Sequence, residues 1–288
     1  MTIVIPSGKP VGAEVQGIDA SRDLPAADVY AVHSALDRHS VVVLRNQRLT
    51  PEQQIRFAGR FSRLDVHLLG QYLLPGYPEL LVVSNVVENG KPIGLSDAGS
   101  EWHTDMSYMK APTYLSMLYA MEVPVDPSDE PLGATRFVST AHAYDTLPAE
   151  LKARIEGRRA IHSYATRYRR RQEAGGKRYA LTEEQRNRTP DVEHPIVRTH
   201  PRTGRRCLYV NAAYVISIPG MPNDEGSALI RAMCEHITRP DVVYTHRWQV
   251  GDLLMWDNVA TQHLASFDYE LPQRRRMYRT SSTGEVVT

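Results

Sequence analysis

Cysteine is almost absent from this sequence: Cys207 and Cys234 are the only two in 288 residues. They stand far apart and form no metal-type pair, which excludes a disulfide scaffold and a cysteine-held zinc site. Each is expected as a buried, reduced thiol. Long apolar runs are also missing. No stretch reaches 18 apolar residues, so nothing is expected to span a membrane. The opening MTIVIPSGKPVGAEV lacks the apolar core of a secretion signal, and a cytoplasmic location is the expectation. Charge of one sign is missing too. Lys and Arg number 34 against 33 Asp and Glu, for a net charge of +1. No global field then draws in nucleic acid or an anionic membrane. Neither a repeat, a low-complexity tract nor a linker is visible, so residues 1–288 are expected to form one domain. What is present is ordinary globular material, 42% hydrophobic and 23% charged, enough for a sizeable core.

Periodicity predicts a helix over 25–38, with Val29, Val32, Ala35 and Leu36 on one face, and then a buried strand, Ser40 to Leu44. Thr50 is placed to cap a second helix, with Pro51 at its first position and Gln53 completing a capping box. Strands are expected at 80–83, 113–121, 135–138, within 195–218, and at 242–248, 252–256 and 274–281. Helices are expected at 141–156 and 224–238, and the Arg-rich stretch 167–189 reads as a mobile loop. Many short strands with a few helices, and no visible βαβ alternation, argue for a mainly β fold with flanking helices. A two-sheet antiparallel barrel or jelly roll fits best.

The chemistry starts at Glu101-Trp102-His103-Thr104-Asp105. In a strand His103 and Asp105 project from one face and offer an imidazole and a carboxylate to one metal ion. Alone this means little: a chain with 11 His and 33 acidic residues holds about one such pair by chance. His263 changes the weight. It lies just beyond the strand Leu253 to Trp256 and the turn Asp257-Asn258. Two His and one carboxylate, divided between distant segments, match the facial triad of non-heme Fe(II) oxygenases, which leaves open positions for a 2-oxoacid and O₂.

The third signal is cationic. In Arg274-Arg275-Arg276-Met277-Tyr278-Arg279, alternation puts Arg275, Met277 and Arg279 on one face and Arg274, Arg276 and Tyr278 on the other. A charge run is usually a solvated face. If this is a barrel strand, however, one half points inward, where an arginine needs an anion to meet it. The far carboxylate of 2-oxoglutarate is such an anion, taken in a bidentate fork.

With these residues in view, the chain resembles the taurine / 2,4-dichlorophenoxyacetate dioxygenase family of Fe(II)/2-oxoglutarate-dependent enzymes. The resemblance runs from about Val11 to about Thr283. It is carried by Trp102-His103-Thr104-Asp105, Gly133-Ala134-Thr135-Arg136-Phe137, His194-Pro195 to His200-Pro201, Gly251-Asp252 to Asp257-Asn258, and Thr261-Gln262-His263 through Arg279-Thr280. It implies a double-stranded β-helix, or jelly roll, with Fe(II) held by His103, Asp105 and His263. It implies 2-oxoglutarate as co-substrate and O₂ as oxidant, with Arg275 and Thr135 on the far carboxylate. Arg279 then faces an anionic group of the primary substrate, a small organic acid, and His67 falls at a substrate-contacting position. The carboxylate at Asp105 favours hydroxylation over halogenation, with release of succinate and CO₂. The resemblance also allows for a homo-oligomer. The sequence departs from the family's usual Gly-Gly-Asp-Thr with Gly133-Ala134-Thr135, preceded by the acidic Asp126 to Glu130.

Two rivals belong to other classes. A metal-dependent hydrolase could use the same triad, although no general-base Glu adjoins a ligand and Glu101 is only close by. A non-catalytic binding module could use Arg167, Arg169, Arg170 and Arg171 with Tyr164 and Tyr168 on RNA, although a solvated loop also explains that run. His142, His162, His194, His200, His236 and His246 are expected to be structural.

Overall fold

A computed structural model describes residues 2–173 and 181–287. Eight strands form the larger sheet, in the order Ile3–Pro6, Ala13–Gln16, Val41–Leu44, Leu253–Asp257, Thr113–Glu122, Arg276–Thr283, Tyr77–Ser84 and Leu73–Leu74. Facing it is a smaller sheet, Tyr244–His246, Thr135–Ser139 and Thr261–Ala265. Every pairing but one in these sheets is antiparallel.

Alternation explains why the central strands are apolar throughout. In Val41–Leu44 and Leu253–Asp257 every residue is buried, because both faces of the sheet are covered. Val42, Leu44, Leu253 and Met255 meet the helices Ala26–His39 and Pro51–Ala58 through Val32, Ala35, Leu36, Phe57 and Ala58. Val41, Val43, Leu254, Trp256 and Met277 face the smaller sheet and pack with Phe137 and Trp248. The predicted face of the arginine strand therefore holds: Met277 points inward, while Tyr278 joins Leu80 and Val82 on the far side. The Thr50–Gln53 capping box is present, with both reciprocal hydrogen bonds.

Four expectations need correction. The single helix over 141–156 is two, Thr140–Thr146 and Ala149–Ile155. Pro148 drives Leu147 into extended backbone and so ends the first. The stretch 167–189 is not a loop where it is described: Tyr164–Glu173 and Glu183–Arg188 are helical, the second opened by a Thr182–Gln185 capping box. The middle of that expected loop, 174–180, lies outside the described residues. The strand at 242–248 shrinks to Tyr244–His246, behind a 3-10 turn at Pro240–Val242. Lastly, one βαβ unit does exist. Ala13–Gln16 pairs in parallel with Val41–Leu44, and the helix Ala26–His39 forms the crossover. Its first strand is four residues of mixed polarity, too short to show a period. Among the described residues no helix is long and apolar enough to cross a membrane.

Candidate active site

His263 sits on the smaller sheet, in Thr261–Ala265, its ring against Phe137 and Trp256 at centroid distances of 5.7 and 5.0 Å. His103 is not in a strand, as alternation had suggested, but forms a single bridge to His263. The two backbones exchange hydrogen bonds of 3.1 and 2.9 Å, and the rings lie 4.1 Å apart. The chain then bends at Met106 (φ 50°), and the Asp105 N–H donates to Asn258 Oδ1 at 3.2 Å. Asp105 reaches the larger sheet, where Ser116 Oγ donates to its Oδ2 at 2.7 Å and Asn258 Nδ2 donates to Ser116 Oγ at 3.0 Å. The triad thus spans the seam between the sheets.

One ligand atom from each of His103, Asp105 and His263 lies within 4.8 Å of the others, and all three residues are buried. Asp105 Oδ1 stands 3.6 Å from His103 Nε2 and 3.9 Å from His263 Nε2. His103 Nδ1 lies 2.8 Å from the Glu101 carbonyl, the contact that leaves Nε2 as the free lone pair. Burial opposes the charge of Asp105, but the Arg279 guanidinium, 2.9 Å away, and the two imidazoles outweigh it and hold the carboxyl well below its usual range. Burial, helped by His103, pushes His263 well below the ordinary histidine value and keeps it neutral. Two imidazoles and one carboxylate are the donor set that suits a divalent first-row metal.

The cleft over the triad is lined by His67, Leu95, Met106, Tyr108, Tyr164 and Arg279 among others. His67 therefore reaches it, its Nδ1 accepting from the Leu69 N–H at 3.1 Å. Deeper in the barrel, Arg275 is 5% exposed, and among the described residues no carboxylate lies within ion-pair distance of it. Its Nε has no hydrogen-bond partner there. Burial lowers its pKa, opposed by Tyr269 and Asp268. Gly133 makes room: a Cβ at that position would come 2.9 Å from Tyr269 and 3.1 Å from Arg275 Nε, and its φ is +69°. Thr135 accepts from the Trp248 indole at 3.0 Å, and Arg275 lies 5.9 Å from the same ring. A buried guanidinium without a carboxylate, beside a buried hydroxyl, fits a dicarboxylate ligand.

With this geometry in hand, comparison with known proteins is decisive. The profile of the "Taurine catabolism dioxygenase TauD, TfdA family" matches residues 4–281. The chain belongs to this family. It is an α-ketoglutarate-dependent dioxygenase, which uses Fe(II), 2-oxoglutarate and O₂. It is 36% identical to the α-ketoglutarate-dependent 2,4-dichlorophenoxyacetate dioxygenase of Cupriavidus pinatubonensis, over 96% of this chain and 95% of that one. It is 31% identical to an alkylsulfatase of Acinetobacter baylyi, over 96% and 84%. Among solved structures it is similar to AAD-2 in complex with Mn(II) and N-oxalylglycine, with a TM-score of 0.83 and 31% identity over 100% of this chain and 99% of that chain. The TauD-type jelly roll expected from the sequence is the fold observed.

Several residues escaped the sequence reading. Arg167 is no part of a solvated run. It is 7% exposed, 3.0 Å from Glu101 Oε2, and donates to Tyr214 Oη at 2.7 Å. Arg171 donates to Asp97 at 2.7 Å. Arg169 and Arg170 are exposed, as expected. The tyrosines Tyr108, Tyr164 and Tyr214 form an aromatic wall, with Tyr108 stacked on Tyr164 at 4.5 Å and tilted against Tyr214 at 4.8 Å. Ser116 and Trp248 gave no sequence signal, because each reads as ordinary strand or loop filling. Five of the six histidines expected to be structural are held in place: His162 by Ser107 at 3.1 Å, His200 by Asp257 at 2.7 Å, His246 by Asp252 at 3.0 Å, His194 by the Met109 carbonyl and His236 by that of Ala143.

Proposed function

We propose that this dioxygenase hydroxylates a small organic acid, with His103, Asp105 and His263 holding the iron and Arg275 and Thr135 holding the far carboxylate of 2-oxoglutarate. The substrate's carboxylate or sulfonate faces Arg279, with His67 at the rim. The observation that carries this reading is the placement of two inward arginines, Arg279 on the strand Arg276–Thr283 and Arg275 just before it. One lies at the triad and the other is buried deeper without a carboxylate. Bound iron supplies O₂ activation coupled to conversion of 2-oxoglutarate to succinate and CO₂. The protein's part is positioning. The His103–His263 backbone bridge fixes two imidazoles, and Ser116 fixes the carboxylate. Arg279 aims an anionic head so that the carbon beside it lies over the triad, while Met106 and the tyrosine wall take an apolar body and exclude water. The named relatives support an anion on an apolar body: 2,4-dichlorophenoxyacetate in one, an alkyl sulfate in another.

The hydrolase reading loses its candidate base, since the Glu101 carboxylate is tied to Arg167. The RNA reading loses Arg167 and Arg171, which are engaged inside the protein. A panel of carboxylates, sulfonates and sulfate esters, assayed for O₂-dependent succinate with Fe(II) and 2-oxoglutarate, tests the proposal. An acid that is turned over while its neutral amide is not supports it. Equal turnover of amide and acid would sink the role given to Arg279.

A further inference from the structure

Gly251-Asp252 is more than the turn that the sequence indicated. Asp252 is completely buried, and its Oδ2 accepts from Arg45 Nη1 at 2.6 Å, the Gln249 N–H at 2.9 Å and His246 Nε2 at 3.0 Å. His246, also completely buried, stands edge-on to Trp248, centroids 4.5 Å apart at 90°. Trp248 is 1% exposed and carries Thr135 on its N–H and Arg275 near its ring. A chain of fixed contacts therefore runs from the protein surface at Arg45 to the two groups assigned to the co-substrate.

The hydrogen-bond inventory gives this chain a direction. An indole N–H can only donate, so Thr135 Oγ1 is the acceptor in that pair. A hydroxyl has one proton to give, and among the described residues the Thr135 proton has no acceptor. With one lone pair occupied by Trp248, the rotor is restricted, and its proton is turned away from the ring. Phenylalanine would keep an aromatic ring there, though a smaller one, and leave the rotor free.

We propose that Trp248 is a positioning residue for 2-oxoglutarate: its N–H orients the Thr135 hydroxyl as a donor to the far carboxylate, and the Arg45–Asp252–His246 chain holds the ring in place. This rests on the reading that Thr135 and Arg275 hold that carboxylate.

The test compares two ligands on the full-length, Mn(II)-loaded protein by calorimetry, without turnover. One is 2-oxoglutarate; the other is 2-oxopentanoate, which has a methyl group where 2-oxoglutarate has its far carboxylate. Trp248→Phe is expected to weaken 2-oxoglutarate about tenfold and to leave 2-oxopentanoate within about twofold of wild type. Site-specific replacement of Trp248 by benzothienylalanine keeps the bicyclic ring and lacks the N–H, and is expected to do the same. This second variant carries the test if Trp248→Phe fails to fold. Equal weakening of both ligands would reduce Trp248 to a packing residue and overturn the proposal, as would no weakening of either. Failure of the underlying reading looks different: wild-type protein itself would then not prefer 2-oxoglutarate over 2-oxopentanoate.

Discussion

At the residue scale the proposed site divides into groups assigned to ligands and groups that hold those in place. Ser116 is the plainest of the second kind, since its hydroxyl is the bridge between Asn258 and Asp105. Ser116→Ala is expected to lower Mn(II) affinity by roughly ten- to a hundredfold, measured by equilibrium dialysis, whereas Asp105→Ala should abolish it. Arg279→Gln is expected to raise KM for the acid substrate at least tenfold while the 2-oxoglutarate KM stays within about twofold. The difference between the two arginines is what steady-state kinetics would read. His103, Asp105, His263, Arg275 and Arg279 could be singled out in the sequence as candidates because each is an ionisable or metal-binding group that a packed barrel would not otherwise bury. Ser116 and Trp248 could not. A serine in a strand and a tryptophan after one have ordinary reasons to be there, and what sets them apart is only what they meet across the barrel.

At the element scale the outcome followed local signal strength. The Thr50 capping box was legible because its chemistry lies within four consecutive residues, and Thr50→Ala is expected to cost about 1 kcal/mol, seen as a lower thermal midpoint. The helix Tyr164–Glu173 was hidden by its own composition. Arginines that pair with Glu101 and Asp97 are indistinguishable in sequence from arginines in water. Burial works against the charge of Arg167, yet Tyr214 and Glu101 raise its pKa above the usual arginine value, so the charge is secure. Removing it takes the ion pair from Glu101 and one hydrogen bond from the Tyr214 hydroxyl. Arg167→Ala is therefore expected to speed amide exchange within 164–173 by roughly tenfold or more, with Mn(II) affinity unchanged. Exchange read by mass spectrometry would check this. If protection there is unaltered, the helix is held by its tyrosine packing instead.

At the scale of the whole molecule, stability carries a pH signature from behind the site. Burial, with His194 beside it, pushes His162 down to about 3, and burial pushes His194 to about 4. Above about pH 6.5 both are neutral whether the chain is folded or not. Below that, the unfolded chain takes up protons that the folded one refuses. Stability therefore falls as pH drops from about 6.5 towards 4, by about 1.4 kcal/mol per pH unit for each histidine. Chemical denaturation of wild type and His162→Gln across that range should show the slope reduced by one proton in the variant. The two-sheet architecture itself was legible from the spacing of short apolar strands, but strand order was not, because nothing local records which strands become neighbours. That order has a consequence for how the protein is made. The strand bearing Arg279 comes last in the sheet's chain order, yet lies between Thr113–Glu122 and Tyr77–Ser84. Those two strands leave the ribosome long before the one that separates them. Until it arrives they have either open edges or each other, a mispairing that must later be undone. Yield in a host cell would then be governed by the time this gap stays open, and slower synthesis at lower temperature or added chaperone should matter more here than any change to the finished fold.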